Sequence, residues 1–195
     1  MFQIYIHKDK GLTYEFIERC KQANFTSLCL TIDTIVAGNR ERDLRSGMTM
    51  PPKFTPSSLL SFAMRPRWVL NYLTHEAFKL ANLEGRTEIG SQKSISVIDY
   101  LNSQFDTNLR WDDAKKAIEA WGGPFAIKGI MSVEDAKRAV DIGASAIMIS
   151  NHGGRQLDSS PAPFSILTDI VNAVGGQVEI ICDGGIRRGT HVLKA

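Results

Sequence analysis

Apolar residues along the chain come in two alternating textures. Short, nearly continuous runs read as strands: FQIYI at 2–6, SLCLTID at 27–33, GPFAIKG at 123–129, AIMIS at 146–150 and VEIICDGG at 178–185. Between them the apolar positions fall at helical spacing. In LTYEFIERCKQANF, Leu12, Phe16, Ile17 and Cys20 share a face. SVEDAKRAVDIGA pairs Ser132 with Asp135 at capping-box distance. SPAPFSILTDIVNAVGG starts on prolines, ends on glycines and carries Phe164, Leu167, Ile170, Val171 and Val174 as one stripe. Trp111 to Trp121 and RRGTHVLKA complete the helical set.

Strands apolar along most of their length are covered on both faces, and β-α repetition makes them parallel. A doubly wound sheet and a closed β/α barrel both satisfy this. The strand ends separate the two. All five runs finish in polar residues: Gln3 and Tyr5, Thr31 and Asp33, Lys128, Ser150 and His152, and Asp183. An open sheet uses only the strands at its switch point, whereas a barrel brings every strand's carboxyl end to one mouth. The expectation is therefore an α/β fold of the (β/α)8 TIM-barrel class, present as an incomplete barrel because five strands cannot close it. The chain reads as one partial domain, 1–195, interrupted by a long insertion over 44–110.

That insertion includes PPKFTPSSLLSFAMRPRWVLNYL, Pro-rich and then apolar with interspersed arginines. One reading is a covering loop with one or two short helices over the barrel mouth. The other is a membrane-surface or partner-binding segment, since Leu59, Leu60, Phe62, Trp68, Leu70 and Tyr72 accompany Lys53, Arg65 and Arg67.

Composition narrows little. Of the 195 residues, 43% are hydrophobic and 23% charged, as in ordinary globular proteins, and a net charge of +2 gives no reason to expect nucleic acid as a partner. Cys20, Cys29 and Cys182 are odd in number and widely spaced. Cys29 and Cys182 lie in apolar runs, so they read as buried free thiols in a reducing, cytosol-facing compartment.

Candidate chemistry gathers at the strand ends. In ISNHGGRQLD, period-two alternation sets Ser150 and His152 on the same side. Gly153 and Gly154 let the chain turn sharply, and Arg155 can swing back over the His. A guanidinium grips a carboxylate with two parallel hydrogen bonds, and an imidazole handles a proton. The alternative is a His and an Arg satisfied by loop carbonyls. Asp33 suits a partner that stabilises an imidazolium, or equally a helix N-cap. Arg40 follows shortly after it. Tyr5 offers a phenol to a substrate hydroxyl or carbonyl, or is a core tyrosine. Lys128 interrupts an apolar strand and needs an anion there: a phosphate, a Schiff-base carbonyl, or the anionic form of a reduced flavin. In CDGGIRRG, glycines, Arg187 and a helix start make a phosphate site.

With FQIYIHKDK, LTIDTIVAGNRERD, IKGI, SNHGGRQLD and DGGIRRGTHVLKA assembled in order, the chain resembles the FMN-dependent L-2-hydroxy acid dehydrogenase and oxidase family. This group includes lactate dehydrogenases, glycolate oxidase and mandelate dehydrogenase. The resemblance implies FMN as cofactor and oxidation of a small L-2-hydroxy acid, L-lactate first among them, to the 2-oxo acid. It implies that His152 is the base, Asp33 its paired carboxylate and Tyr5 a substrate-binding phenol. It implies that Arg155 and the more mobile Arg40 bind the substrate carboxylate. Gln3, Thr31 and Ser150 correspond to flavin contacts, Lys128 to the lysine at the flavin edge where charge accumulates on reduction, and Asp183, Gly184, Gly185, Ile186 and Arg187 to the ribityl and phosphate segment. Electrons pass on to a quinone, oxygen or a cytochrome.

The resemblance covers the third to seventh strands of the barrel. The first two and the eighth, which carry further flavin contacts and a Gly-Arg pair, have no counterpart here, so the chain looks like a fragment that would not hold FMN alone. Asn39 stands where relatives often have Arg. The long insertion resembles the bacterial quinone-linked lactate dehydrogenase branch, which implies a homo-oligomer when full length, located in the cytoplasm or peripherally on the cytoplasmic face of the inner membrane. Another FMN-binding barrel enzyme, or an inactive barrel remnant serving as an interaction module, are the competing readings.

Overall fold

The computed structural model describes residues 1–36, 38–46, 54–75, 82 and 104–195. Lys53 and most of the 76–103 stretch lie outside these. The chain divides into two compact units, Met1–Asn39 with Gln104–Ala195, and Arg40–Ser103.

The first unit is built on a parallel sheet of five strands in the order of the chain, β1 (Phe2–Ile4), β2 (Leu28–Thr31), β3 (Phe125–Ile130), β4 (Ala146–Ile149) and β5 (Glu179–Cys182). Parallel neighbours need a crossover. It is supplied by α1 (Lys10–Gln22) between β1 and β2, α6 (Val133–Asp141) between β3 and β4, and α7 (Pro163–Val174) between β4 and β5; α5 (Trp111–Trp121) leads into β3 and α8 (Gly189–Lys194) follows β5. Five strands taken in sequential order without a switch point form an arc of a β/α barrel, as the polar strand ends imply.

The core explains why these runs become strands. Every residue of β2 is buried, and Phe125, Ile127, Ile147 and Ile149 are fully enclosed. Each such side chain contributes about 1.5–3 kcal/mol relative to exposure. The helices meet the sheet with small residues, Ala114 and Ala117 from α5 and Ala136 and Ala139 from α6, which allow close approach. From α1, Leu12, Ile17 and Cys20 are buried as their spacing predicts, with Phe16 partly so. Asp9 caps α1 by accepting from the Leu12 N–H at 3.3 Å.

Three local expectations change. On α7, Ile170 and Val174 are buried and Leu167 is partly so, but Phe164 and Val171 are exposed, so the face on the sheet is narrower than the apolar stripe. At α6, Ser132 accepts from the Asp135 N–H at 3.1 Å, while its hydroxyl donates to the Asp135 carboxylate at 3.0 Å, so one arm of the box is side chain to side chain. Cys20 and Cys29 are buried, whereas Cys182 is only half-buried; burial pushes all three thiols up.

The residues just before α5 belong to the first unit. The Lys8 N–H donates to the Gln104 carbonyl at 2.9 Å, and the Lys10 ammonium lies 2.6 Å from Asp106 and 3.5 Å from Asp113.

In the second unit the described helices are α2 (Glu41–Ser46), α3 (Pro56–Ala63) and α4 (Pro66–Thr74). Thr55 and Ser58 cap α3 reciprocally, the Ser58 N–H donating at 3.1 Å and the Thr55 N–H at 2.8 Å, with Pro56 opening the helix. None of these helices has a buried residue. Among the described residues, no helix is long and apolar enough to cross a membrane.

Candidate active site at the carboxyl ends of the strands

The carboxyl ends of β1 to β5 bring most of the polar residues singled out by sequence into two groups, Gln3 with Tyr5 and Thr31, and Asp33 with Lys128, Ser150, His152 and Asp183. Gln3 donates through Nε2 to the Thr31 hydroxyl at 2.6 Å and to the Tyr5 phenol at 3.2 Å. Burial, reinforced by the Asp33 charge, raises the Tyr5 phenol above its ordinary value and keeps it protonated. Asp33 turns its two oxygens to different partners: Oδ1 lies 3.0 Å from His152 Nδ1 and Oδ2 lies 3.4 Å from the Lys128 ammonium. Lys128 also stands 3.9 Å from Asp183, whose Oδ2 accepts from the Ser150 hydroxyl at 2.9 Å. The Ser150 oxygen in turn accepts from the His152 N–H at 3.2 Å. The anion that a buried Lys128 requires is thus supplied by two carboxylates of the protein itself.

Strand alternation is not what places His152. Strand β4 ends at Ile149, and His152 sits beyond it in a turn of 3-10 helix with φ +58°, followed by Gly153 at +67° and Gly154 at +68°. Left-handed backbone at three successive residues explains both glycines. Arg155 is exposed on the far side of this turn, and its guanidinium has no partner among the described residues. Arg40 belongs to the other unit.

After β5, Gly184 and Gly185 have φ of +96° and +77°, with open space where a Cβ would stand at Gly185 and only Pro163 near Gly184. Ile186 and Arg187 are exposed. The Arg187 backbone N–H donates to His191 Nδ1 at 3.2 Å, and that nitrogen is also 3.2 Å from the Gly185 carbonyl.

Four more residues shape this region. Thr34 donates to Asp33 Oδ1 at 3.2 Å and lies 3.3 Å from His152 Nδ1. Gly129, at φ +105° beside a register shift in β3, lets Asp33 come close: a Cβ there would stand 2.8 Å from Asp33 Cβ. Gln156 donates to the Val36 carbonyl at 3.1 Å, and a Cβ at Gly38 would overlap the Arg155 carbonyl. A glycine inside an otherwise apolar strand run, as in IKGI, is a bulge signal readable from sequence; the other three depend on partners more than a hundred positions away.

A parallel β/α arc with its ionisable residues concentrated at the strands' carboxyl ends is the arrangement of β/α barrels, which hold their ligands at that mouth. The chain belongs to the FMN-dependent dehydrogenase family, which it matches over residues 1–195. It is 39% identical over 194 residues to an L-lactate oxidase of Nostoc sp., covering 100% of this chain and 47% of that one. It is 39% identical over 195 residues to an L-lactate dehydrogenase of Pseudomonas paraeruginosa, covering 99% and 50%. Among solved structures, the monotopic membrane protein (S)-mandelate dehydrogenase superposes with a TM-score of 0.89 at 30% identity, covering 99% of this chain and 50% of that one. The chain spans about half the length of the curated relatives it matches.

The residues present fit FMN. Asp183 Oδ1 is buried without a hydrogen-bond partner among the described residues, the Lys128 ammonium stands beside it, and two positive-φ glycines leave room for a ligand backbone. Hydroxyls of Thr31 and Ser150 and the Gln3 amide add neutral groups of the type that hydrogen-bond a flavin's heteroatoms.

Proposed function

We propose that this chain carries the proton-handling part of an FMN-dependent enzyme that oxidises a small L-2-hydroxy acid, L-lactate first among candidates, to the 2-oxo acid. The observation that carries the reading is the 3.0 Å contact between His152 Nδ1 and Asp33 Oδ1, with Arg155 three residues further along a glycine turn. Gln3, Thr31, Lys128, Ser150, Asp183, Gly184, Gly185, Ile186 and Arg187 would hold FMN. When bound, FMN supplies a two-electron acceptor.

The substrate must lose two electrons and two protons: one proton would go to His152, and the electrons with the other proton to FMN when it is bound. Asp33 holds the Nδ1–H of His152, which leaves Nε2 unprotonated and able to take a proton from the substrate. Asp33 then stabilises the resulting imidazolium. Arg155, exposed and without a partner among the described residues, is available to grip the carboxylate bidentately. The Tyr5 phenol, kept protonated by burial, can donate to or accept from the substrate oxygen. Lys128 would balance the negative charge that FMN gains on reduction.

The final electron acceptor on this reading is a quinone, with oxygen and a cytochrome as the alternatives. Peripheral attachment to the cytoplasmic face of a membrane is supported by the exposed, stacked Trp68 and Tyr72 of α4 and by the monotopic neighbour.

The test is anaerobic mixing of the FMN-loaded protein, in its full-length form, with L-lactate, glycolate and L-mandelate while the flavin absorbance is followed. Bleaching by at least one is expected, and His152→Gln should retain FMN while slowing bleaching about 10²–10⁴-fold. Absence of bleaching by all three would end this reading.

A further inference from the structure

The turn that carries Arg155 is pinned to the loop after β2 at both of its ends. At the near end His152 Nδ1 meets Asp33 Oδ1 at 3.0 Å and the Thr34 hydroxyl at 3.3 Å. At the far end the Gln156 amide donates through Nε2 to the Val36 carbonyl at 3.1 Å. The two loops touch so closely there that a Cβ on Gly38 would overlap both the Arg155 carbonyl oxygen and Gln156 Oε1. Gly38 has no left-handed φ, so this position needs glycine for close approach alone.

What lies between the pins is intrinsically loose. Gly153 and Gly154 have positive φ and nothing within 4 Å of where a Cβ would be. From inside, the turn is held by Asn151, whose Oδ1 accepts from the Gly154 N–H at 3.1 Å and whose Nδ2 donates to the Pro161 carbonyl at 3.1 Å. Neither contact reaches Arg155. Two glycines, and a guanidinium without a partner among the described residues, leave Arg155 undetermined by its own turn, and the next residue supplies the tether. Gln156 also bears a cost: its Oε1 is buried without a hydrogen-bond partner among the described residues. The amide is held for the direction of its donor, not for full satisfaction.

We propose that Gln156 and Gly38 form a clasp that fixes the backbone of Arg155 and so sets how well this chain binds the carboxylate of its substrate. Gln156 is a positioning residue and touches no reacting atom. The inference rests on Arg155 being the carboxylate-binding group.

The experiment uses the FMN-loaded protein, with oxalate as a non-reacting carboxylate probe read by perturbation of the flavin spectrum. Gln156→Ala should raise the oxalate Kd and the KM for the hydroxy acid about three- to tenfold, as expected for one lost hydrogen bond, with kcat falling less than threefold. Gly38→Ala should do the same or more. A double-mutant cycle supplies the decisive arm: on an Arg155→Ala background, Gln156→Ala should have no further effect on oxalate affinity. Amide hydrogen exchange of the chain without any ligand should show faster exchange at 153–156 in Gln156→Ala. If Arg155→Ala leaves oxalate affinity unchanged, the assignment of Arg155 fails. If Arg155→Ala weakens oxalate but Gln156→Ala neither weakens it nor speeds exchange, the clasp fails while that assignment stands. Equal effects of Gln156→Ala with and without Arg155 would also overturn the clasp.

Discussion

Asp33 and His152, 119 positions apart in sequence, meet through Oδ1 and Nδ1 at 3.0 Å, while the other Asp33 oxygen faces Lys128. One half-enclosed carboxylate therefore serves two cationic or proton-bearing partners. Removing its charge without its shape should separate the roles. Asp33→Asn is expected to keep the fold and FMN binding, yet slow anaerobic flavin bleaching by about 10²–10⁴-fold, since the imidazole loses both orientation and charge compensation. Stopped-flow absorbance on the loaded protein checks this; bleaching at the parental rate would remove Asp33 from the proton transfer.

The approach of Asp33 depends on Gly129, which makes a second prediction possible on stability alone. Gly129→Ala places a Cβ 2.8 Å from Asp33 Cβ at a backbone φ of +105°. Gly143→Ala supplies the control, since φ is +92° there with nothing within 4 Å. Backbone strain costs about 1–3 kcal/mol at either position. Gly129→Ala should lose more than Gly143→Ala in urea unfolding, and it alone should disturb Asp33. Equal losses would mean that β3 relaxes around the added methyl.

Much of this was legible in the sequence, and the remainder has identifiable physical reasons. Strands buried on both faces read as continuous apolar runs, so β2, β3 and β4 stand out, and polar strand ends point to a barrel. Asp33, Lys128, His152 and Asp183 were readable because ionisable groups at the ends of apolar strands need a reason to be there. His152 itself was found for a geometric reason that does not hold: its φ of +58° lies outside any strand, so alternation says nothing about it. The Phe164 and Val171 exposures escaped because helical periodicity marks an apolar face without saying how much of it the sheet can cover. Thr34, Gly38 and Gln156 carry ordinary loop-residue signals, and their roles arise only from partners across the fold.

A third prediction concerns His7, just after β1. Its ring packs edge-on to Phe16, with centroids 5.7 Å apart, and the His7 backbone N–H donates to the Thr13 hydroxyl at 3.1 Å. Burial lowers its pKa below the ordinary 6.5, with Asp9 opposing and Lys10 assisting. A histidine whose folded pKa is depressed binds fewer protons folded than unfolded below pH 6.5, so stability rises with pH in that window. The contribution is complete above pH 6.5 and is lost as pH falls toward the folded value. His7→Gln should flatten this part of the profile of urea midpoint against pH between about 5 and 7. A slope identical to the parent's would assign the dependence to other groups.

The aromatic ladder of α3 and α4, half-buried at Phe62 and exposed at Trp68 and Tyr72, supports the last prediction. Phe62 stacks on Trp68 at 5.4 Å and 11°, and Trp68 on Tyr72 at 5.4 Å and 10°; Trp68, Leu70 and Tyr72 are each at least half exposed. Arg67 lies on the same helix and Arg65 immediately precedes it, with the Arg65 guanidinium held by Ser61. Apolar rings beside cations are the composition that enters a bilayer interface, where aromatic side chains sit at headgroup level and each arginine near an anionic surface adds about 1 kcal/mol. Vesicles containing anionic lipid should therefore retain the protein in co-sedimentation. Trp68→Ala should weaken retention on anionic and neutral vesicles alike. Arg67→Ala should weaken it about fivefold on anionic vesicles only, and less as salt is raised. If neither substitution changes retention, these helices do not face a membrane. If Trp68→Ala instead lowers the urea midpoint without touching retention, the ladder serves to hold α3 against α4.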